Sequence, residues 1–232
     1  AFTIHFAPER ARPWYLIWPV AKLAGARIVS DAHDADIVMH FEDATFGDAH
    51  APLASPRATY LNFGCRDVSK SRVAEAFEAA FGYPLALDPQ THRGEAVEKC
   101  ELNGAHDGRI ISCPQTPAPN RCYQRVIDNR ASDPALVEDF RTPTIRGKPV
   151  CVFIKRRKIG ERFANSNAEV ELARVEACFS AEEIERIGDF CARMGLDWGG
   201  LDILRDKADG RLYIVDANKT DMGPPIALPL KD

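Results

Sequence analysis

The stretch GLDWGGLDILRDKADGRLYIVDANKT, residues 195–220, decides the fold. Its apolar runs at 201–205 and 211–217 predict two β-strands, and the polar segment 206–210 between them, which ends in glycine, is typical of a tight turn. Each predicted strand is interrupted by an aspartate, a residue type that is disfavoured inside strands. The stretch therefore predicts an antiparallel hairpin whose strands carry carboxylates.

Three oxygen-bearing side chains are expected on one face of this hairpin. Side chains alternate along a strand, so Asp216 and Asn218 project to the same side, and the short turn places Asp202 opposite Ile214 or Asp216. Mg²⁺ prefers carboxylate and carbonyl oxygens and completes its shell with water and substrate phosphates. We predict a metal site at Asp202, Asp216 and Asn218; the alternative is that both aspartates are ordinary exposed residues of a half-solvated sheet.

The composition limits the classes of function. The chain has 232 residues, 45% of them hydrophobic, which is enough for a substantial core. Its net charge of −4 argues against a general nucleic-acid or membrane-surface binder, and no apolar run is long enough to span a bilayer. The seven cysteines are odd in number and show no Cys-x-x-Cys spacing, so we expect reduced thiols in a cytoplasmic protein.

The N-terminal quarter predicts a small α/β lobe. Strand patterns lie near 2–7, 36–41 and 59–62, and a helical segment covers 14–23. Strands that alternate with a helix are typical of α/β units, but residues 1–61 are too few for a full doubly wound sheet.

Two amphipathic helices are predicted further along the chain. One spans 69–81, with Gly82 at the stop position. The other begins at Ser180, which forms a capping-box pattern with Glu183, and ends before Gly195.

The middle of the chain predicts short strands. The glycine-containing segment 103–108 separates strand patterns at 97–101 and 109–113, so a hairpin is the natural interpretation. Further strands are predicted at 121–127 and 150–155.

The terminal hairpin resembles the C-terminal core of ATP-grasp proteins. In that family, an acid on one strand and an acid-x-Asn pattern on the next hold the magnesium ions that bridge the ATP phosphates. Asp202, Asp216 and Asn218 match this pattern one for one, with Asp216 where glutamate is commoner.

The resemblance implies an α+β protein with the ATP-grasp fold and a short N-terminal α/β lobe. We expect the lobe at residues 1–61 and an ATP-grasp domain at 62–232, with a lid subdomain at about 90–127.

The same resemblance implies a nucleotide site upstream of the hairpin. Lysines are mobile point charges that suit phosphates, and a glycine-containing loop lets backbone N–H groups approach an anion. Lys70 also fits a solvated helix residue, and His106 fits a plain loop-tip residue. The residues implied for nucleotide binding are Lys70, Lys99, Gly104, His106, Gly108, Gln124, Arg125, Val126 and Ile127.

Basic residues between the nucleotide segments and the last helix are candidates for catalysis. Lys155, Arg141 and Arg156 are expected to hold the γ-phosphate or an acyl-phosphate, with polar contacts from Asn165 and Asn167. The alternative is a solvated basic turn.

The activity implied by the resemblance is that of an ADP-forming, ATP-dependent ligase with ATP and Mg²⁺ as cofactors. It would activate a small-molecule carboxylate as an acyl-phosphate and couple it to an amine or another nucleophile, without nucleic acid or membrane partners. Many family members carry an arginine two residues before the first metal acid, where this chain has Gly200. A phosphotransferase on the same scaffold and a non-catalytic nucleotide-binding protein therefore stay open as alternatives.

Overall fold

The computed structural model describes residues 1–47, 50–164, 166–225 and 227–229. Within these ranges the helices are α1 (Ile17–Leu23), α2 (Lys70–Phe81), α3 (Val175–Cys178) and α4 (Ala181–Met194). The strands are β1 (Thr3–Pro8), β2 (Arg27–Ile28), β3 (Ile37–Phe41), β4 (Thr59–Leu61), β5 (Gly94–Cys100), β6 (Arg109–Cys113), β7 (Arg121–Arg125), β8 (Leu136–Ile145), β9 (Lys148–Pro149), β10 (Val152–Lys158), β11 (Glu169–Ala173), β12 (Trp198–Arg205) and β13 (Leu212–Asn218). In this part of the chain, every helix is too short or too polar to cross a membrane.

The first sheet is parallel, with strand order β2-β1-β3-β4. Ile4 and Phe6 alternate inward along β1 and pack with Ile17 and Ala21 of α1. The predicted strands of this region are confirmed, and α1 begins at Ile17, three residues later than the apolar pattern indicated.

The largest sheet has the order β11-β10-β8-β12-β13, with β9 paired to β8, and its strand pairs are antiparallel. Strands β8 and β11 were not predicted. In β8 the acidic and basic residues Asp139 and Arg141 interrupt the apolar residues, so the sequence lacks the continuous run of a buried strand. The strand is nevertheless central, because its polar side chains face a cleft.

The predicted ends of α2 and α4 are confirmed. Ser69 caps the start of α2, and a reciprocal capping box joins Ser180 and Glu183 at the start of α4. Both helices end at a glycine in the left-handed conformation, Gly82 with φ +81° and Gly195 with φ +64°.

The core lies between these two helices and one face of the large sheet. Phe77 of α2 packs against Tyr213 of β13 with ring centroids 5.6 Å apart. Leu201 and Ile203 of β12 are fully buried in this core, while Asp202 between them is directed to the other face. The large sheet thus has an apolar side under the helices and a charged side that faces a cleft.

A three-stranded antiparallel sheet, ordered β6-β5-β7, borders the cleft, and this sheet with its loops, residues 94–125, is called the lid below. The predicted hairpin between β5 and β6 is confirmed. The strand predicted at 121–127 ends at Arg125.

Asn62 joins the first sheet to the large one. Its side-chain oxygen accepts hydrogen bonds from the backbone N–H groups of Asp197 and Trp198, each at 2.8 Å, and its Nδ2 donates to the carbonyl of Trp198. Asn62 is fully buried, so these bonds satisfy backbone groups at the start of β12 that have no access to water.

Candidate nucleotide and metal site

A β-bulge sets the register of the terminal hairpin. Asp202 pairs with Asp216, whereas the next residue, Ile203, pairs with Ile214, so Val215 is the extra residue of β13. Of the two predicted registers, the structure has the one that places the two aspartates opposite each other. Asp216 and the following Asn218 both line the cleft, as their predicted alternation requires.

Two cations hold the carboxylate of Asp202. Arg141 of β8 donates from Nη1 to Oδ2 at 2.9 Å, and Lys155 of β10 donates from Nζ to Oδ1 at 2.9 Å. Burial alone would raise the pKa of Asp202, but the two cations outweigh it and hold that pKa well below its usual range. Asp202 is therefore ionised at neutral pH.

The other two predicted ligands are partnered by the helix and the lid. Lys70 at the start of α2 donates from Nζ to Asp216 Oδ1 at 2.6 Å. Asn103 of the lid loop donates from Nδ2 to Asn218 Oδ1 at 2.9 Å and accepts from Lys70 Nζ at 3.2 Å. Each oxygen donor of the hairpin thus meets a cationic or amide N–H group.

The donor set fits Mg²⁺. Asp202 and Asp216 supply carboxylate oxygens from neighbouring strands, and Asn218 adds an amide oxygen on the same side. The three positions lie on paired strands, which fixes their backbone spacing. Among the described residues, no group of three or more His, Cys, Asp and Glu side chains gathers as a further metal site.

A cleft of about 1330 Å³ lies between the hairpin, the lid and the N-terminal lobe. Most of the residues predicted for nucleotide binding line it. These are Lys70, Lys99, Gly104, His106, Gly108, Gln124, Arg125 and Ile127. Val126 is not among them and lines a separate pocket of about 370 Å³ beside β7.

Part of the cleft lining is apolar. Val97, Leu204 and Val215 form this part, next to Gln124. Gln124 is 1% exposed, and its Nε2 has no hydrogen-bond partner among the described residues. A buried amide donor without a partner is costly, so Gln124 is an unsatisfied polar group beside the cleft.

Lys99 of β5 and the loop 103–108 both line the cleft, and Lys99 is partly buried there. Burial lowers the pKa of Lys99, and the carboxylate of Asp216 opposes that shift. Gly108 in the loop packs on Phe163, because a Cβ at this position would lie 2.6 Å from the phenyl ring. The glycine is needed for this close approach between the lid loop and the segment after β10.

The predicted catalytic residues divide between the two faces of the sheet. Arg141 and Lys155 line the cleft, together with Arg157, which pairs with Asp139 at 2.8 Å. Arg156 lies outside the cleft because neighbouring side chains of β10 alternate, and it pairs with Glu138 at 2.8 Å. The structure therefore does not bring Arg156 together with the other two.

Asp221 is a site residue that the sequence reasoning missed. It is 2% exposed, and its Oδ1 accepts from Nε and Nη2 of Arg141 at 3.0 and 2.5 Å. A Cβ on Gly200 would lie 2.3 Å from Oδ2 of Asp221, so the glycine leaves room for this carboxylate. The only sequence signal was an acid three residues after Asn218, and its partner Arg141 is far away along the chain.

The segment after β10 adds further polar groups. Asn167 Oδ1 accepts from Arg157 Nη2 at 3.2 Å. Asn165, which was also expected to make polar contacts, lies outside the residues that the structure describes.

Comparison with solved structures identifies the fold. The ATP-grasp ligase PsnB, solved with a minimal precursor, Mg and ADP, matches with a TM-score of 0.58 at 12% identity, over 95% of this chain and 89% of that one. Macrocyclase MdnC from Microcystis aeruginosa MRC, bound with precursor peptide MdnA, matches with a TM-score of 0.55 at 10% identity, over 98% and 96%. D-alanine–D-alanine ligase from Bacillus anthracis, complexed with ATP, matches with a TM-score of 0.54 at 13% identity, over 98% and 89%.

This chain has the ATP-grasp fold, as its terminal hairpin predicted. Neither a family model nor a curated protein sequence matches it.

Proposed function

We propose that this protein is an ATP-dependent ligase that activates a carboxylate as an acyl-phosphate and couples it to an amine or another nucleophile. The observation that carries the proposal is the pairing of Asp202 with Asp216 at the base of a cleft that also holds Arg141, Lys155 and Lys70. Carboxylates for a metal and cations for phosphate oxygens are the two requirements of phosphoryl transfer from ATP. The solved structures compared above include two ligases and a macrocyclase, which supports the same class.

Mg²⁺ held by Asp202, Asp216 and Asn218 would neutralise charge on the nucleotide's phosphate oxygens. The apolar wall and Gln124 would bind the base, and Lys99 and Lys70 would meet the phosphates. Lys70 already lies 2.6 Å from Asp216, so it is within reach of any phosphate next to that carboxylate.

The proposed reaction has two steps. In the first, a carboxylate oxygen of the substrate bonds to the γ-phosphorus and the bond from that phosphorus to the bridging oxygen breaks, which gives the acyl-phosphate and ADP. In the second, the nucleophile's lone pair bonds to the acyl carbon, the C–O bond to phosphate breaks, and the nucleophile's proton passes to phosphate or water. Arg141 and Lys155, which both bind Asp202, would stabilise the negative charge that develops in both steps.

Trapping with hydroxylamine tests the first step without knowledge of the natural nucleophile. The protein is incubated with Mg-ATP, a panel of carboxylates and hydroxylamine, and hydroxamate and ADP are measured. A ligase of this kind gives both products in equal amounts and only with a carboxylate present. A stable phosphorylated product without hydroxamate would instead show a phosphotransferase, and Mg-ATP binding without turnover would show a non-catalytic binding protein.

The metal site is tested by Asp216→Ala, with Asp189→Ala as the control. Asp189 is a carboxylate on α4 whose partner is Arg193, and it does not line the cleft. Mg-ATP should raise the melting temperature of the parent and the control, but not that of Asp216→Ala, because a ligand stabilises a protein only by binding the folded state. An unchanged shift in Asp216→Ala would show that the site is elsewhere.

A further inference from the structure

One carboxylate of the cleft differs from the others in its partners. Among the described residues, the cleft is lined by the carboxylates of Asp43, Asp107, Asp139, Asp202, Asp216 and Asp221. Five of the six form an ion pair with an arginine or lysine. Asp43 is the exception, since no described cation lies within 4.0 Å of it.

Neutral donors orient the Asp43 carboxylate instead. The Tyr15 hydroxyl donates to Oδ2 at 2.8 Å, and the Thr220 hydroxyl donates to Oδ1 at 2.9 Å. Glu9 adds a second negative group nearby, because its Oε2 accepts from the backbone N–H of Asp43 at 3.2 Å. Burial and then the bond to Asp43 raise the pKa of Tyr15, so its hydroxyl stays a donor at neutral pH. The result is an exposed carboxylate whose two oxygens are oriented by hydroxyl groups and which has no cationic partner among the described residues.

Asp43 is linked to Arg141 through the segment 220–221. Its partner Thr220 is followed by Asp221, whose carboxylate binds Arg141, and Arg141 in turn binds Asp202. The backbone N–H of Leu16 donates to the carbonyl of Asp221 at 2.9 Å, which fixes the N-terminal lobe against this segment. Asp43 therefore contacts the same segment, residues 220–221, as Arg141, which is proposed to act on the acyl-phosphate. Both side chains line the same cleft.

Exposed apolar side chains line the same cleft as this carboxylate. Trp14 and Met222 are 57% and 55% exposed and both line the cleft, as do Pro19 and Pro224. Tyr15 and Met222 form a β-bridge, so the aromatic segment and the methionine are held side by side. Indole and thioether groups left open to water beside a charge suit the carbon skeleton of a small ligand.

We propose that Asp43 binds the ammonium group of an amine co-substrate and that Trp14 and Met222 bind its apolar or aromatic skeleton. The proposal rests on the proposed ligase function and specifies its nucleophile, which is the free amine formed when the bound ammonium group releases one proton to water. A hydrogen bond between an ammonium group and a carboxylate is about twice as strong as one between neutral groups. A second carboxylate ligand at the same place would be repelled by Asp43 and Glu9, so the two substrates are sorted by charge.

Calorimetry with simple probes tests the subsite. Phenethylamine is titrated into the full chain with Mg-ADP present, and 2-phenylethanol serves as the neutral analogue and 3-phenylpropionate as the anionic one. We expect phenethylamine to bind at least tenfold more tightly than either analogue. In Asp43→Asn this preference should disappear, while Asp34→Asn, the same charge change at an exposed residue outside the cleft, should keep it.

The remaining outcomes separate the two proposals. Trp14→Ala should weaken phenethylamine at least tenfold but leave methylamine unchanged. Equal binding of phenethylamine and the alcohol, equal binding to parent and Asp43→Asn, or no binding of phenethylamine would each overturn the amine subsite. Binding of Mg-ADP and Mg-ATP is measured on the same samples. If the parent protein binds neither nucleotide, the ligase proposal is wrong. If it binds them but gives any of those three results, only the amine subsite is wrong.

Discussion

At the scale of single residues, the cleft depends on contacts between residues that are distant in sequence. Arg141 is the clearest case, because it binds Asp202 on one side and Asp221 on the other. Gly200, which replaces the arginine expected before the first metal acid, provides the space for the Asp221 carboxylate. A guanidinium is thus present beside Asp202, although it comes from β8 and not from β12.

Substituting Asp221 should affect turnover more than nucleotide binding. Asp221→Asn removes the charge that fixes the Arg141 guanidinium, so we expect kcat for hydroxamate formation to fall about tenfold, equivalent to ~1.4 kcal/mol of barrier. The KM for ATP should change little, because Asp202 and Asp216 are untouched. Steady-state kinetics of the variant and of Asp189→Asn provide the measurement, and an unchanged kcat would contradict a positioning role for Asp221.

His40 should make the folded state sensitive to acid. It is 1% exposed and lies near Glu42 and Lys219; burial and then Lys219 lower its pKa, while Glu42 opposes them. Because the pKa of His40 is lower in the folded than in the unfolded state, its contribution is complete above about pH 6.5 and is lost as the pH falls below that value.

The His40 prediction is measured by urea unfolding between pH 7.5 and 5. Relative to the parent, His40→Leu should reduce the pH dependence of the unfolding free energy by up to ~1.4 kcal/mol per pH unit, the value for one proton. His33→Leu, at an exposed histidine, is the control and should leave the slope unchanged. A parent-like slope in His40→Leu would show that this histidine does not titrate differently on folding.

At the scale of elements, local signals predicted the helices and the terminal hairpin. The capping box at Ser180 and the glycines at 82 and 195 act within a few residues of the chain, so the sequence alone contains them. Strand β8 was not predicted, because Asp139 and Arg141 face the cleft and interrupt the apolar run that a buried strand would show. The contacts of Asn103 and Asp221 could not be predicted for a related reason. Their partners, Asn218 and Arg141, are far away in the sequence and become neighbours only in the folded chain.

The two helix-ending glycines should respond differently to alanine. Both have a positive φ, so each substitution costs about 1–2 kcal/mol of strain. At Gly82 a Cβ meets nothing within 4 Å, whereas at Gly195 it would lie 2.5 Å from the backbone carbon of Gly64. Gly195→Ala should therefore lower the unfolding free energy clearly more than Gly82→Ala, as measured by urea denaturation. Equal losses would mean that the contact with Gly64 relaxes without cost.

At the scale of the whole molecule, the lid is held by a few polar contacts to the rest of the chain. Asn103 is the centre of them: its backbone N–H donates to Thr45 Oγ1 at 2.8 Å, and its side chain contacts Lys70 and Asn218. Ser71 at the start of α2 adds bonds to Glu101. The N-terminal lobe, helix α2 and the terminal hairpin all contact the lid in this way.

Removing the Asn103 side chain should loosen the lid selectively. Each lost hydrogen bond is worth about 1 kcal/mol, so in Asn103→Ala we expect backbone amides of residues 101–108 to exchange with deuterium about tenfold faster. Leu102→Ala, at an exposed neighbouring position, should exchange like the parent. Faster exchange throughout the protein would indicate general destabilisation. It would contradict the prediction that Asn103 stabilises the lid alone.

The ion pairs of the hairpin have a consequence for the order in which ligands arrive. Asp216 already has an ammonium group at 2.6 Å, and Asp202 is already shared between two cations. A divalent ion that bound without nucleotide would have to displace Lys70 from Asp216 or compete with Arg141 and Lys155 for Asp202. The displaced lysine would then have no anionic partner. A divalent ion that came as a complex with a triphosphate would offer that lysine a new anionic neighbour in the same event. Metal and nucleotide are therefore expected to enter as one unit, and free magnesium to bind weakly.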